Sequence, residues 1–254
     1  MSWISALPPG SELLMLALAA VVAGVINAIA GGGSLLLIPL LVGVGLPPTV
    51  ANGTLRIAVL SQAVVATITF ERRGVHELGA SLRLLPPVII GALAGTGLAT
   101  QLPDTSMRGV FGVLLAVWVV VLLFKPDRFL TSEGTPRAPS VLVYALAVVV
   151  GLYGGFVQAG VGFPLLALIV LGLGRTTVDG NAVKSAVVVA YTTVSLAVFL
   201  AAGHVAWREG AAIAVGSAVG GWLGARWQLK SGVGLVRWVL IVTVAASAVA
   251  MLAT

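Results

Sequence analysis

Long runs of apolar residues, separated by short polar or glycine-rich stretches, extend along the whole chain. Most of these runs approach the roughly 20 residues that a helix needs to cross a hydrocarbon layer about 30 Å thick. The pattern therefore predicts an all-α polytopic membrane protein. The apolar segments are 13–30, 35–44, 51–70, 82–100, 110–124, 141–157, 164–173, 182–202, 211–227 and 235–252.

Two of these segments, 35–44 and 164–173, have about ten residues and are too short to cross a membrane unaided. Each of them follows a break in the apolar pattern that is rich in glycine. The glycines of the two breaks are Gly31, Gly32, Gly33, Gly160 and Gly162. Because glycine weakens a helix, we expect each short segment to be a broken or re-entrant helix.

Residues 125–139 form the most sustained polar stretch, and their proline, glycine, serine and charge content predicts a linker. This cytoplasmic linker would separate an N-terminal membrane repeat, 1–124, from a C-terminal membrane repeat, 140–254. A shift of 129 residues superimposes the two halves. The matched pairs include Gly31 with Gly160, Gly33 with Gly162, Asn52 with Asn181, Phe70 with Phe199, Gly74 with Gly203, Gly91 with Gly220, Gly95 with Gly224 and Arg108 with Arg237. Because one shift matches Asn, Phe and Arg as well as glycine, the sequence predicts an internal duplication.

Basic residues are distributed unevenly between the two sets of loops that the apolar segments define. One set, which includes Lys184, holds 11 of them, and the other holds 3, namely Arg56, Arg108 and Arg208. Because loops rich in Lys and Arg stay in the cytoplasm, we expect the larger set there and both termini outside. Each half then makes an odd number of crossings, so the repeats are expected to be inverted, as in alternating-access carriers.

Composition supports the membrane assignment and excludes several other classes of protein. The chain is 59% hydrophobic and 9% charged, whereas soluble domains are about 25% charged. The net charge of +6 comes from single basic residues between apolar runs, so we expect no nucleic-acid partner. The absence of cysteine excludes disulfides and Cys-ligated metal sites, and we predict no cofactor. Residues 1–10 lack basic residues, so we expect the first helix to be retained rather than cleaved as a signal peptide.

The two glycine breaks are the first candidate site for substrate binding. The residues are Asn27, Gly31, Gly32, Gly33 and Ser34 in the first half and Gln158, Gly160 and Gly162 in the second. A helix that starts after such a break leaves N–H groups without partners, and the helix dipole favours an anion as their acceptor. We therefore predict that two helix N-termini face one anion near the middle of the membrane. The alternative is that the glycines only permit close helix packing.

An amide and a cation occur together at equivalent places in the two halves: Asn52 with Arg56, and Asn181 with Lys184. We predict that the amides orient an oxyanion while the cations attract it. The alternative is that each Asn caps the start of its own helix and each cation snorkels to the membrane interface. Gln62 and Tyr191 also occupy equivalent positions, where an interhelical hydrogen bond is the expected role.

Acidic residues are expected only at helix ends and in loops. They are Glu12, Glu71, Glu77, Asp104, Asp127, Glu133, Asp179 and Glu209. This distribution argues against a cation pathway and against a carboxylate proton relay. His204 is therefore the candidate for coupling transport to protons, although an interfacial histidine is the alternative.

The order of the motifs resembles that of a known family. The motifs are Gly31-Gly-Gly-Ser, Pro39, Gly45-Leu-Pro-Pro, Ala51-Asn-Gly-Thr, Gly160-Val-Gly-Phe-Pro and Gly203-His-Val-Ala-Trp. Over nearly the whole chain they resemble the TauE/SafE sulfite exporter family, which implies an inner-membrane permease for sulfur oxyanions such as sulfite, sulfoacetate or organosulfonates. Two departures, Ser34 in place of a longer glycine run and Arg56 in place of a small or apolar residue, point to a substrate other than plain sulfite.

The sequence thus predicts a multi-pass carrier in the cell inner membrane that moves a sulfonate or sulfite-like anion by alternating access. The membrane potential opposes entry of an anion by about 2.3 kcal/mol per charge per 100 mV, so import would need a coupling ion such as a proton, whereas export would not. A passive anion channel shares the same features and stays open as an alternative. An intramembrane enzyme would need a buried Asp or His constellation, which the sequence does not offer.

Overall fold

The computed structural model describes residues 10–123 and 135–228, which fold into helices joined by short loops. The helices are α1 Ser11–Ile29, α2 Ser34–Gly43, α3 Pro48–Arg72, α4 Leu78–Gln101, α5 Asp104–Leu123, α6 Val141–Phe156, α7 Gly162–Ala167, α8 Thr177–Ala201 and α9 Trp207–Gln228, with α7 continuing as a π-helix over Leu168–Gly172. The predicted segment 235–252 and most of the predicted linker lie outside the described residues.

Five of the described helices are long and apolar enough to cross a membrane. They are Ser11–Ile29, Pro48–Arg72, Leu78–Gln101, Asp104–Val121 and Thr177–Ala201. The prediction of an all-α polytopic membrane protein is therefore confirmed. α2 and the α7 segment, Gly162–Gly172, are apolar but shorter than a span.

Local sequence sets where several helices begin and end. Pro48 occupies the first turn of α3, where its missing N–H costs nothing. Thr176 caps α8 by accepting a hydrogen bond from the Asp179 N–H at 3.2 Å. α1 ends just before Gly31, whose φ of 92° is rare for other residues. α6 ends at Phe156, shortly before Gln158 and Gly160, which also have positive φ values of 65° and 74°. The glycine breaks therefore end the helices where the sequence predicted.

α1 and α2 form a re-entrant hairpin, hairpin 1, which enters and leaves at the same end of the bundle. The start of α1 is tied to the start of α9 by an ion pair between Glu12 and Arg208 at 3.2 Å. The chain that follows α2 reaches the same end, because Thr54, in the second turn of α3, accepts a hydrogen bond from the Ala206 N–H at 2.9 Å. α2 therefore returns toward the side from which α1 came.

α6 and the α7 segment form a second re-entrant hairpin, hairpin 2, at the opposite end of the bundle. Its two ends meet where the Arg137 N–H donates to the Leu173 carbonyl at 2.8 Å. The same end holds the ion pair between Arg175, just before α8, and Glu77, just after α3. Since α8 begins where α3 ends, these equivalent helices run antiparallel, which the inverted-repeat hypothesis requires. The orientation of the repeats in a membrane stays a prediction.

Glycines let the first helix of each half pack tightly against the fourth helix of the other half. A Cβ on Gly220 of α9 would fall 2.2 Å from the Val21 carbonyl oxygen of α1. A Cβ on Gly91 of α4 would fall 2.0 Å from the Val148 carbonyl oxygen of α6. Such distances allow no side chain, so the backbones are in direct contact. Gly91 and Gly220 are one of the pairs matched in the sequence, and they have the same role in packing.

Candidate functional site

The tips of the two hairpins meet inside the bundle. A Cβ on Gly31 would fall 2.3 Å from the carbonyl carbon of Gly162, and a Cβ on Gly162 would fall 2.3 Å from the Gly31 Cα. Beside this contact, the Gly160 N–H donates to the Ser34 Oγ at 3.1 Å. The structure therefore brings together both predicted glycine breaks, although they are about half the chain apart in sequence.

A small polar cavity lies at this meeting point. Its lining consists of Asn27, Gly31, Ser34, Val59, Gln62, Ala63, Gln158, Val161, Gly162, Lys184, Ser185 and Val188. Six of the predicted site residues are among them, namely Asn27, Gly31, Ser34, Gln158, Gly162 and Lys184. The space open to the centre of a water molecule is about 20 Å³, which is room for one water and little more. The cavity is therefore too small to hold a sulfur oxyanion in this conformation.

Lys184 brings a buried cation to the wall of the cavity. Its side chain lies on α8 and the residue is 3% exposed. The ammonium donates to the carbonyl oxygens of Asn27 at 2.9 Å and Ala28 at 3.2 Å, at the end of α1, and also to the Asn181 Oδ1. Within the described residues no carboxylate pairs with Lys184, so its charge is offset by the negative end of the α1 dipole and by the Asn181 amide oxygen, neither of which carries a full charge.

Arg56 has the corresponding position at the end of α6. It is fully buried on α3, and its guanidinium donates to the carbonyl oxygens of Gly154 and Gly155 and, at 3.0 Å, to the Gln158 Oε1. The guanidinium also lies 4.5 Å from the centre of the Phe199 ring, where a cation–π contact stabilises it. Arg56 is thus held behind Gln158 and does not line the cavity.

The two predicted asparagines bind the last carbonyl groups of the same helix ends. The Asn52 Nδ2 donates to the Phe156 carbonyl at 2.7 Å, and the Asn181 Nδ2 donates to the Ile29 carbonyl at 2.9 Å. These carbonyls would otherwise lack partners inside a membrane protein. Each half therefore supplies an amide and a cation that cap the broken first helix of the other half.

Several sequence-based alternatives for these four residues are wrong. The N-cap residues of α3 and α8 are Pro47 and Thr176, not the asparagines. Arg56 and Lys184 do not snorkel to an interface, and the loop assignment used in counting charges is wrong for both, because they are buried inside helices. The sequence could not show these contacts, since Lys184 and Asn27 are 157 residues apart.

The N–H groups that follow the breaks are mostly bonded, in contrast to the prediction. Ser34 N–H donates to the Asn27 Oδ1 at 3.4 Å, and Leu35 and Leu36 N–H donate to the carbonyls of Gly32 and Gly33. In hairpin 2, the Phe163 N–H donates to the Gly160 carbonyl at 3.2 Å. Among the described residues, the N–H groups of Gly32, Gly33, Val161 and Gly162 have no such partner, so the prediction holds for these four. Gly33 also has a packing role, since its Cβ would fall 1.8 Å from the Ala23 carbonyl oxygen.

Gln158 holds the tip of hairpin 2 in an unusual backbone conformation. Its φ is 65°, the one positive value at a non-glycine residue within the described ranges. Such a conformation costs about 1–3 kcal/mol and persists only where neighbouring contacts impose it. Both ends of its amide are bonded, the Oε1 to Arg56 and the Nε2 to the Thr192 Oγ1 at 3.1 Å. The surrounding contacts therefore fix Gln158 beside the cavity.

Two polar residues in the cavity wall have groups free to bind a ligand. The Ser185 Oγ is buried and has no hydrogen-bond partner. The side-chain amide of Gln62 likewise makes no hydrogen bond to the rest of the described chain, so the predicted interhelical bond is absent. Sequence reasoning missed Ser185, although the 129-residue shift that aligns the halves places it opposite Arg56.

His204 and the acidic residues lie away from the cavity. His204 follows α8. A Cβ on Gly53 would fall 2.0 Å from the His204 carbonyl oxygen, and the centre of the His204 ring lies 6.4 Å from the centre of the Phe199 ring. The acidic residues of the described chain, Glu12, Glu71, Glu77, Asp104, Asp179 and Glu209, lie in loops or in the first or last turn of a helix. Asp127 and Glu133 are outside the described residues. No described carboxylate therefore reaches the two buried cations.

The described helices enclose a small polar cavity between two hairpins, an arrangement that is typical of membrane transporters. The family model described as "Sulfite exporter TauE/SafE" matches residues 16–251. The chain therefore belongs to the TauE/SafE family, as its motifs predicted.

Curated relatives of similar length carry transporter names. The chain is 28% identical to "Probable membrane transporter protein ORF9" of Sinorhizobium sp., over 95% of this chain and 92% of that protein. It is 30% identical to a "Probable membrane transporter protein" of Haemophilus influenzae, over 87% of each. It is 29% identical to "Probable membrane transporter protein YfcA" of Escherichia coli K12, over 88% of this chain and 83% of that protein.

Proposed function

We propose that this protein is a secondary transporter that carries a sulfur-containing anion, of the sulfite or sulfonate type, across the inner membrane by alternating access. The anion binds between the tips of the two hairpins. The observation that carries the proposal is the buried ammonium of Lys184 in the wall of a polar cavity that no described carboxylate reaches. A buried cation without a counter-charge favours an anionic ligand.

The free polar groups of the cavity suit an oxyanion. The hydroxyl of Ser185 and the amide of Gln62 can donate hydrogen bonds to sulfur-bound oxygens, and Lys184 supplies the charge. Asn52, Asn181 and Arg56 support the site indirectly, because they hold the helix ends that carry Asn27 and Gln158. The family match supports sulfur oxyanions as the class of substrate.

The small size of the cavity supports a carrier rather than an open channel. Its free space of about 20 Å³ is too small for a sulfur oxyanion, and the backbone contact of Gly31 with Gly162 leaves no pore between the hairpin tips. Binding therefore requires the hairpins to separate on one side at a time. Each hairpin opens toward a different end of the bundle, so separation at one end exposes the cavity to one side of the membrane.

Direction and coupling follow from the charge of the substrate. Export of an anion is favoured by the membrane potential, whereas import needs a coupling ion such as a proton. His204 does not line the cavity, but its loop contacts the start of α3 through Thr54 and Gly53. A proton on His204 would therefore act through the position of α3 and not by direct contact with the anion.

Flux of radiolabelled sulfite and sulfonates into proteoliposomes tests this proposal. We expect saturable flux that other sulfur oxyanions inhibit, and lower flux in a Ser185→Ala variant. Thr193→Ala is a matched control, because its hydroxyl lies on the exposed side of α8 and bonds only to the Val189 carbonyl. Flux that never saturates would instead identify a channel, and the absence of any anion flux from the parent protein would overturn the proposal.

A further inference from the structure

A groove lined by both basic and apolar residues lies on the outer surface of the bundle, between the ends of α3 and α9. Its lining consists of Val65, Ile68, Thr69, Arg72, Arg73, Trp222 and Arg226. The groove has a volume of about 350 Å³, compared with about 20 Å³ for the central cavity. It is separate from the central cavity, because the two share no lining residue.

Three arginines concentrate positive charge at one end of this groove. Arg72 ends α3, Arg73 follows it, and Arg226 lies in the last turn of α9. The nearest carboxylate in sequence, that of Glu71, contacts the His76 Nδ1 at 2.7 Å instead. Within the described chain none of the three arginines has an acidic partner. The groove therefore presents three exposed guanidinium groups that lack a counter-charge.

The other end of the groove is apolar and faces outward. Val65 and Ile68 line it from α3, and Ile68 is 46% exposed. Arg72 lies seven positions after Val65 along the helix, which corresponds to about 10 Å at 1.5 Å per residue. The groove thus leads from the arginines at the helix ends into the apolar part of the membrane-spanning surface.

Trp222 joins the charged and apolar ends. It is 41% exposed, and the Arg226 guanidinium lies 4.2 Å from the centre of its ring. Tryptophan is enriched where a membrane helix passes through the level of the lipid headgroups. We therefore expect Arg226 to lie at headgroup depth, with the indole at the start of the apolar section.

We propose that this groove binds one anionic phospholipid, with its phosphate between Arg72, Arg73 and Arg226 and an acyl chain along Val65 and Ile68. A free oxyanion would match the arginines but not the apolar section, whereas a phospholipid matches both. The predicted orientation places the groove at the cytoplasmic leaflet, where clusters of basic residues meet anionic lipids. The site is independent of the central cavity and of the substrate.

Native mass spectrometry of the full-length protein tests the proposal. The protein is titrated in detergent with dioleoyl phosphatidylglycerol and, separately, with dioleoyl phosphatidylcholine, which has the same chains and no net charge. We expect preferential binding of phosphatidylglycerol. Each Arg→Gln substitution is expected to weaken this binding about fivefold, the effect of one basic residue at an anionic surface.

A charge-matched control separates the groove from the general positive charge of the protein. Arg72→Gln, Arg73→Gln and Arg226→Gln are combined in one variant, and Arg83→Gln, Arg108→Gln and Arg208→Gln in another. The two variants lose equal charge, but the second leaves the groove intact, and we expect only the first to lose the preference for phosphatidylglycerol. If the first variant does not fold, the corresponding Arg→Lys variant, which keeps the charge, is expected to bind phosphatidylglycerol in preference to phosphatidylcholine.

Three results would overturn the assignment. One is equal binding of phosphatidylglycerol to the groove variant and the parent protein. Another is equal loss of binding in both triple variants, which would indicate an effect of total charge. The third is displacement of phosphatidylglycerol by millimolar inorganic phosphate, which would indicate a site for soluble anions.

Discussion

Gly31 and Gly162 lie in direct backbone contact at the centre of the bundle, each so close that a Cβ on one would fall 2.3 Å from the other. Gly31 follows α1 and Gly162 begins α7, so this one contact joins the tips of hairpins that enter from opposite ends. The cavity with Lys184 lies beside the contact. Any movement that separates the hairpin tips therefore changes access to the cavity.

Gly162→Ala is expected to destabilise the protein and abolish transport. The added methyl group would meet the Gly31 backbone, which cannot move aside as a side chain can, so we expect a loss of about 3 kcal/mol, at the upper end of overpacking effects. Gly97→Ala is the matched control, because a Cβ at Gly97 of α4 has no neighbour within 4 Å. The thermal midpoint in detergent measures both changes, and equal midpoints for the two variants would contradict the contact.

Asn52→Ala and Asn181→Ala are expected to lower stability. Each substitution leaves a buried carbonyl at the end of α6 or α1 without its partner, which costs about 1–3 kcal/mol. The thermal midpoint of each variant is compared with that of Thr193→Ala, which removes only an exposed hydroxyl bonded within α8. Midpoints no lower than that of the control would show that the asparagines do not hold the helix ends.

The sequence predicts the helices, the breaks and the duplication, because these depend on local composition. Apolar length identifies the spans, and the glycine-rich breaks identify the ends of α1 and α6. Matched glycines also share a conformation, as with Gly74 and Gly203, whose φ values are 84° and 73°. These features need no knowledge of which distant residues meet.

The direction of the short helices and the roles of the buried cations depend on contacts between the halves. Hairpin 2 is recognisable as re-entrant only from the bond of Arg137 to Leu173. Sequence spacing places Arg56 and Asn52 on one helical face, but it cannot reveal that this face meets the end of α6, 104 residues from Asn52. The cavity wall was thus predicted in part, and its free hydroxyl at Ser185 was not.

Stability is expected to depend on pH through Glu77. Burial raises the pKa of this carboxyl above its ordinary value of 4.5, and the nearby Arg175 only partly opposes the shift. As the pH falls, Glu77 therefore takes up a proton at a higher pH in the folded state than in the unfolded state. The charged form of Glu77 thus opposes folding at neutral pH. This penalty fades as the pH falls through the raised pKa toward 4.5.

The Glu77→Gln variant tests this pH dependence. Its thermal midpoint is expected to exceed that of the parent at pH 7, and the difference is expected to shrink toward pH 4.5. Arg175→Gln is expected to lower the thermal midpoint at pH 7, because it leaves the Glu77 carboxylate without the cation 2.7 Å away. A difference between Glu77→Gln and the parent that does not change with pH would exclude this role for the carboxyl.

Cysteine labelling tests the predicted orientation, since the chain has no cysteine of its own. His76 and Arg208 have exposed side chains at opposite ends of the bundle. In intact cells, a membrane-impermeant maleimide is expected to label Arg208→Cys, and to label His76→Cys only after permeabilisation. The reverse pattern would place the larger set of basic residues outside.

The most direct test of the central claim, that the cavity between the hairpin tips binds the anion, is a thermal-shift comparison. The parent protein, Gln62→Ala and Ser185→Ala are each titrated with sulfite, sulfate, sulfoacetate and taurine, because a ligand bound only by the folded state raises the midpoint. Ser195→Ala is the control, since Ser195 is buried on α8 but bonds to Thr96, away from the cavity. Without ligand, we expect the two cavity variants to have the same midpoint as the parent. We expect one or more sulfur anions to raise the midpoints of the parent and the control, and to change those of the two cavity variants little. Equal ligand-induced shifts in the parent and in both cavity variants would contradict the assignment of the site.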